Sequence, residues 1–191
     1  MKHYPVFLDL KDRKVLLVGS GHELDGKLPG LREAGAKVRR VRGLRVSDLS
    51  GVDLVICSSN DPKLNRRVYQ AASKRHIFCN VVDKPPLCSF IAPAIVRKGH
   101  LQVAISTGGR SPALAVRVKE EIARALGDEW GELLDLITPL RSRVFARYPQ
   151  DQAARSRVFQ AMARGPALEL LRAGRKAEAR KLLRDSLQGK V

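Results

Sequence analysis

Three short stretches of this chain carry residues whose type and spacing could do chemistry. The first is Gly19-Ser20-Gly21-His22-Glu23-Leu24, directly after the apolar run Lys14–Val18. Glycines spaced GxGxxG between a strand and a helix permit a tight turn and let backbone N–H groups approach a pyrophosphate at the helix N-terminus. Here the first two glycines are present and Leu24 takes the third position, while Pro29 falls inside the helix that should follow. A nucleotide cradle and an ordinary strand-to-helix turn both fit this half of the pattern. The second stretch is Asn80-Val81-Val82-Asp83-Lys84-Pro85-Pro86. A carboxylate after a hydrophobic strand, on a loop stiffened by prolines, can accept a proton or cap the loop. The third is Ser106-Thr107-Gly108-Gly109, before Arg110-Ser111-Pro112. Its hydroxyls and accessible N–H groups beside a helix start suit an anion.

Positioning these stretches requires strands that end where they begin. Lys14–Val18, Lys37–Val41, Asp53–Cys57, Ile77–Val82 and Leu101–Ser106 read as strands, with helical spacing over Leu24–Ala34 and Pro62–Arg75 between them. Continuous apolar strands alternating with helices predict an α/β fold, a doubly wound parallel sheet covered on both faces. Ligands bind such sheets at the C-terminal ends of the strands, which is where all three stretches fall. From Ser111 onward glycines thin out and Ala, Leu, Arg and Glu dominate. Ser111 suits a helix N-cap and Pro112 the first turn. Further helices are expected over Glu129–Tyr148, Asp151–Ala163, Pro166–Ala173 and Arg175–Gln188. The α/β part is placed at residues 1–113.

The second strand and its continuation, Lys37–Arg45, contain no acid of the kind that binds ribose hydroxyls. Arg39, Arg40 and Arg42 could hold a 2′-phosphate or an anionic substrate edge, or simply guard an exposed strand with charge.

The 191 residues carry 36 Lys+Arg against 19 Asp+Glu, a net +17, and 44% of them are hydrophobic. That supports a real core and predicts a polyanionic partner. Residues 1–113 hold 20 basic and 9 acidic side chains, and residues 114–191 hold 16 and 10. The larger excess therefore lies in the α/β part, against a helical nucleic-acid-binding appendage. With five Phe, three Tyr and one Trp there is little material for base stacking, and no nucleic-acid-binding signature is visible. No apolar run reaches the roughly 18 residues of a membrane span, and Met1-Lys2-His3-Tyr4-Pro5 lacks the core of a signal peptide. Cys57, Cys79 and Cys88 form no CxxC pair and read as structural thiols in a reducing cytoplasm. His3, His76 and His100 lack metal-ligand spacing, so no metal site is expected. The Arg-rich helices between Arg141 and Arg184 read as solvated faces.

Several stretches taken together resemble the siroheme synthase N-terminal domain family: PVFLDLKDRKVLLVGSG, LREAGAKV, DPKLNRRV, FCNVVDKPPLCSFIAPAIV and LQVAISTGGRSPALA. The match is specific over about residues 3–125 and looser beyond. The resemblance implies a Rossmann-like domain at 1–113, a dimerisation region at 114–150, a small helical domain at 151–191, and a homodimer. It implies NAD-dependent oxidation of precorrin-2 to sirohydrochlorin, an octacarboxylate tetrapyrrole substrate, and in some members insertion of Fe²⁺ (Co²⁺ is the other candidate metal substrate). It places the catalytic carboxylate on Asp83 and substrate contacts on Ser106, Thr107, Gly108 and Gly109. Cofactor contacts fall on Gly19, Ser20, Gly21, His22, Glu23, Gly43, Leu44 and Ser59. One carboxylate could serve both reactions, since oxidation and metal entry each release protons from the macrocycle.

Two departures bear on the cofactor. Leu24 replaces a small residue, and Gly43 runs almost directly into Val46–Gly51 where the family has about twenty more residues. Those would flank the adenosine half of NAD. The alternative reading is therefore a member with weakened NAD binding that keeps tetrapyrrole binding or metal insertion. Nucleic acid and membrane are not expected partners.

Overall fold

The computed structural model describes residues 3–187, so Met1, Lys2 and the expected helix end at Gln188 lie outside the described residues. By internal contact the chain divides into two units, residues 1–92 with 108–110, and residues 93–107 with 111–191.

The first unit is built on β1 (Lys14–Gly19), β2 (Lys37–Val41), β3 (Leu54–Ser58) and β4 (Phe78–Val81), with helices α1 (His22–Glu33) and α2 (Pro62–Ser73). The four strands are parallel in the order β2-β1-β3-β4. Side chains alternate across a strand, and this decides which helix covers which face. Leu16, Val18, Val55 and Cys57 pack with Val68 and Ala72 of α2. Val15, Leu17, Leu54 and Ile56 pack with Leu24 of α1. Apolar residues at successive positions are therefore required, and each such side chain contributes roughly 1.5–3 kcal/mol when fully buried. Asp61 caps α2 by accepting from the Lys63 N–H at 2.8 Å, with Pro62 in its first turn. α1 runs through Pro29 without interruption.

The second unit begins with an antiparallel hairpin, β5 (Ala94–Lys98) and β6 (Leu101–Ile105). The strand expected at Leu101–Ser106 thus exists, but it does not extend the parallel sheet. Gly99 and His100 alone join the two strands, and a parallel neighbour would need a crossover of about a dozen residues. Burial along β6 alternates, as packing on one face requires, whereas β1 is buried almost throughout.

Six helices follow: α3 (Pro112–Ala125), α4 (Glu129–Ile137), α5 (Arg141–Arg147), α6 (Gln152–Arg164), α7 (Ala167–Arg172) and α8 (Lys176–Ser186). The single helix expected over Glu129–Tyr148 is divided by a 3₁₀ turn at Thr138–Leu140, where Pro139 cannot donate to the helix ladder. Ser111 and Asp151 cap α3 and α6, accepting from Leu114 N–H at 3.2 Å and Ala154 N–H at 2.8 Å. Leu133, Leu140, Val144, Met162, Leu171 and Leu183 form the core of this unit. The hairpin turn lies on α4: a Cβ at Gly131 would come 2.4 Å from the Lys98 carbonyl oxygen, and Lys98 pairs with Asp128 at 2.8 Å. No helix among the described residues is long and apolar enough to cross a membrane.

Candidate functional site

At the C-terminal edge of the parallel sheet, β1 ends on Gly19 beside Ser58 of β3. Gly19 has φ 104°, and a Cβ there would lie 1.9 Å from the Ser58 carbonyl oxygen. No other residue fits between these two chains. The chain then turns through Ser20, whose N–H donates to Ser58 O at 3.3 Å, into Gly21 at the N-cap of α1. Gly21 has φ 109°, has no side chain to cap the helix, and a Cβ built on it meets nothing within 4 Å. The first turn of α1 therefore presents backbone donors beneath open space, the arrangement that suits an anion. His22 and Glu23 begin that turn, with Nε2 and Oε1 3.1 Å apart on exposed side chains. Leu24 is fully buried against the sheet. Its side chain fills core under α1 and does not stand in the cradle.

Ser59 follows β3, and its hydroxyl accepts from the Asp61 N–H at 3.0 Å. The buried Asn65 of α2 donates to Ser59 O at 2.9 Å and accepts from the Cys57 thiol at 3.3 Å, which pins the strand end to the helix. Burial pushes the Cys57 thiol up to about 11 and the Cys79 thiol up to about 12, so neither supplies a thiolate near neutral pH. The reading of both as structural thiols fits these positions.

Asp83 follows β4 in a turn closed by Lys84 N–H to Val81 O at 3.1 Å, and Val82 N–H reaches Cys57 O at 2.8 Å. The Gly19–Ser20 turn, Ser59 and Asp83 thus stand at the ends of three neighbouring strands. Asp83 is exposed and has φ 57°, a left-handed conformation that Asp tolerates better than most residues. What holds its loop was not evident from sequence. Buried Asn80 donates to Phe90 O at 3.0 Å, and Ser89 accepts from Cys79 N–H at 2.8 Å while its own N–H returns to Cys79 O at 2.8 Å. The Cys88 thiol donates to Val81 O at 3.2 Å. These bonds fold residues 88–90 back along β4 and close the segment carrying Asp83. The signal was a polar residue inside an otherwise apolar strand, Asn80 in FCNVV.

The other side of the site, near β2, is more occupied. β2 is an edge strand, as a charge-guarded strand would be. Arg39 pairs with Asp48 at 2.8 Å, and Arg40 pairs with Asp25 at 2.5 Å and donates from Nε to Gly19 O at 3.3 Å. Arg42 is exposed. The shortened segment forms a 3₁₀ turn, Val46–Leu49, that buries Leu44 and Leu49 in the core on the α2 face. Gly43 is exposed with open space at its Cβ position. Leu44 points its side chain into the core, and its carbonyl accepts from Arg67.

In the second unit, Thr107 closes the loop it begins. Its hydroxyl donates to Ser111 O at 3.0 Å and accepts from Ser111 N–H at 3.2 Å. Gly108 and Gly109, with φ 65° and 78°, form the bend between them and group by contact with the α/β unit. Ser106 and Thr107 group with the helical unit. Among the described residues no cluster of three His, Cys, Asp or Glu side chains could hold a metal ion.

A doubly wound sheet with an open glycine turn at its C-terminal edge defines a dinucleotide-binding class of fold. Comparison with known proteins narrows this. Residues 39–94 match the family described as "Putative NAD(P)-binding", residues 98–125 the sirohaem biosynthesis protein central region, and residues 129–187 the sirohaem synthase dimerisation region. The chain is 36% identical over 209 residues to a siroheme synthase of Thioalkalivibrio sulfidiphilus, with 98% of this chain and 42% of that protein covered. It is 38% identical over 213 residues to one of Stutzerimonas stutzeri, with 99% and 45% covered. A solved structure titled "SirC, precorrin-2 dehydrogenase" shares the fold, with a TM-score of 0.72 at 21% identity, covering 97% of this chain and 100% of that one. The chain belongs to the siroheme synthase N-terminal domain family. It spans less than half the length of the curated relatives it matches.

Proposed function

We propose that this chain oxidises precorrin-2 to sirohydrochlorin, with NAD⁺ as hydride acceptor, as a step of siroheme biosynthesis. The observation that carries the reading is the conjunction of an uncapped, sterically open helix start at Gly21 with the Asp83 carboxylate on the same edge of the sheet. The residues fit a dinucleotide. The N–H groups of the first turn of α1 would hold its pyrophosphate, Gly19 and Ser20 form the turn beneath it, and Ser59 and Gly43 flank it. NAD⁺ held there would supply the hydride acceptor. Asp83 takes the proton that leaves with the hydride, and its left-handed backbone, held by Asn80 and Ser89, presents the carboxylate outward from the strand end. Gly108 and Gly109, which group with the α/β unit, would meet the carboxylate rim of the substrate, while the Thr107 hydroxyl shapes their loop by bonding Ser111. The basic surface attracts an octacarboxylate and concentrates it.

In the same reading the chain works as a cytoplasmic homodimer, with residues 114–150 in the dimer contact and 151–191 as a small helical appendage. The match to a dimerisation region over 129–187 supports self-association.

A second reading rests on the β2 side of the site. Arg39 and Arg40 are already paired, and Leu44 is buried with its carbonyl occupied. Few groups remain there to grip the adenosine half of a dinucleotide or a 2′-phosphate. That favours a chain with weak dinucleotide affinity that inserts Fe²⁺ or Co²⁺ into sirohydrochlorin, with Asp83 accepting the displaced pyrrolic protons.

Anaerobic incubation with precorrin-2 and NAD⁺ or NADP⁺, followed by absorbance, separates the two. NAD⁺-dependent appearance of sirohydrochlorin establishes the first reading. No oxidation, with metal uptake into supplied sirohydrochlorin, establishes the second. Failure of both removes the assignment.

A further inference from the structure

Acidic side chains favour the free N–H groups at the start of a helix, and a bound pyrophosphate uses the same groups. The start of α1 meets both demands at once. Its first turn carries Glu23 and Asp25, and its N-cap, Gly21, has no side chain. Ser20 N–H is taken by Ser58 O, and the N–H groups of Leu24 and Asp25 turn back to Gly21 O at 3.2 and 3.3 Å. Those of His22 and Glu23 are among the donors that a helix leaves open at its start. Two carboxylates beside these donors oppose a further anion by like-charge repulsion. Glu23 has only the exposed His22 ring beside it, at 3.1 Å, which carries charge only when protonated.

Asp25 is compensated from another element. Arg40, opposite Leu17 of β1 in the sheet, places Nη1 2.5 Å from the Asp25 carboxylate and donates from Nε to Gly19 O at 3.3 Å. One planar guanidinium thus joins the edge strand, the glycine turn and the first turn of α1. Among the described residues, Arg40 is the only lysine or arginine within ion-pair distance of either acid of that turn. Guarding a strand edge requires only that a cation face solvent. Arg42 is placed in that way, exposed and, among the described residues, with no carboxylate in ion-pair range. Arg40 is instead fixed at the turn by its second bond, and an ion pair this accessible adds little to stability.

We propose that Arg40 is the charge-compensating residue of the dinucleotide cradle, cancelling Asp25 so that the first turn of α1 accepts a pyrophosphate. The proposal rests on the reading of that turn as a dinucleotide site. Folds of this class commonly place an acid at the end of the second strand to hold ribose hydroxyls. In this chain the strand contributes a cation to the phosphate-binding turn, and the rest of the helix start supplies no other lasting positive charge.

The test is calorimetric titration of the full chain with ADP-ribose, the pyrophosphate-bearing part of the cofactor, at about 0.15 M salt. Arg40→Gln should weaken binding about five- to tenfold, and the loss should shrink at about 0.5 M salt. Asp25→Asn, which removes the charge to be cancelled, should bind at least as tightly as the unmodified chain. Arg40→Gln combined with Asp25→Asn should return to within about threefold of the unmodified chain, a coupling that a purely structural clip does not give. Arg40→Lys keeps the charge at the turn and should also stay within about threefold. Unchanged affinity in Arg40→Gln overturns the proposal, as does a double variant or a Lys variant as weak as Arg40→Gln. Should Arg40→Gln fail to fold alone, the double variant carries the test, and a loss of about tenfold in it is overturning. Failure of the unmodified chain to bind ADP-ribose removes the dinucleotide reading and the role of Arg40 with it. Binding that is indifferent to Arg40 removes that role alone.

Discussion

Asp83 carries two separable properties, a carboxylate and a left-handed backbone, so its replacements should separate them. Asp83→Asn keeps a side chain that tolerates φ 57° and removes the proposed proton acceptor. If the proposed oxidation is this chain's reaction, it should lose about 10²–10⁴-fold in turnover, measured by sirohydrochlorin absorbance, with its urea midpoint nearly unchanged. Asp83→Ala should lose activity to the same extent and also about 1 kcal/mol of stability, because alanine resists the left-handed region. Full activity in the Asn variant would remove Asp83 from the chemistry. Gly19 is the opposite case, a residue whose role is entirely steric. Gly19→Ala would set a methyl group 1.9 Å from the Ser58 carbonyl oxygen. A loss of at least about 1–3 kcal/mol in denaturant stability is expected, since β1 and β3 must move apart. Asp83 was legible as a candidate from its place after an apolar run. The reason Gly19 must be glycine became visible only when Ser58, 39 residues on, was placed beside it.

The loop between β4 and the hairpin shows how an element positions a residue. Asn80→Ala should leave Phe90 O without its buried donor and cost about 1–3 kcal/mol. Hydrogen exchange should accelerate over residues 84–90 before it does in β1 or β3. The 3₁₀ turn at Val46–Leu49 makes a prediction about acid. Asp48 is held below the ordinary carboxylate range, chiefly by its hydrogen bond from Arg39 and then by the Arg45 N–H. A carboxylate depressed in the folded state stabilises the fold above the ordinary value of about 3.9 and loses that contribution as pH falls through its own lower value. Asp48→Asn should therefore flatten the acid side of a urea-midpoint profile below about pH 5, and an unchanged profile would contradict the pairing. β1 and β3 were legible because burial on both faces leaves an unbroken apolar run. The β5–β6 hairpin was not, because β5 mixes Ala, Ile, Val, Arg and Lys, and only pairing with β6 shows which face is covered.

Over the whole molecule, a net +17 ought to be read through ionic strength. Raising salt from about 0.05 to 0.5 M should increase KM for the proposed polycarboxylate substrate several-fold with little change in kcat, since screening acts on encounter more than on chemistry. A salt-independent KM would mean that charge does not recruit the substrate. The count of charges was available from sequence, and so was their division between the two parts of the chain. Which charges are free was not. Among the described residues, Arg39, Arg40, Arg172 and Arg175 are spent on carboxylates, while the arginines of α5 and α6 are not.

By itself the sequence determined the alternation of strands and helices, the helical character after Ser111, the positions of the glycine turn and Asp83, and the family these motifs resemble. Periodicity, capping and turn chemistry act over a few residues, so they can be read along a line. The tertiary structure alone decided that Leu24 and Leu44 turn into the core, that Leu101–Ile105 pairs with its own hairpin partner, and that Asn80 and Ser89 hold the Asp83 loop. It also decided where positive charge is left over. Each of these depends on contacts between residues distant in sequence, which form only when burial of both sheet faces and the helical core fixes the chain in space.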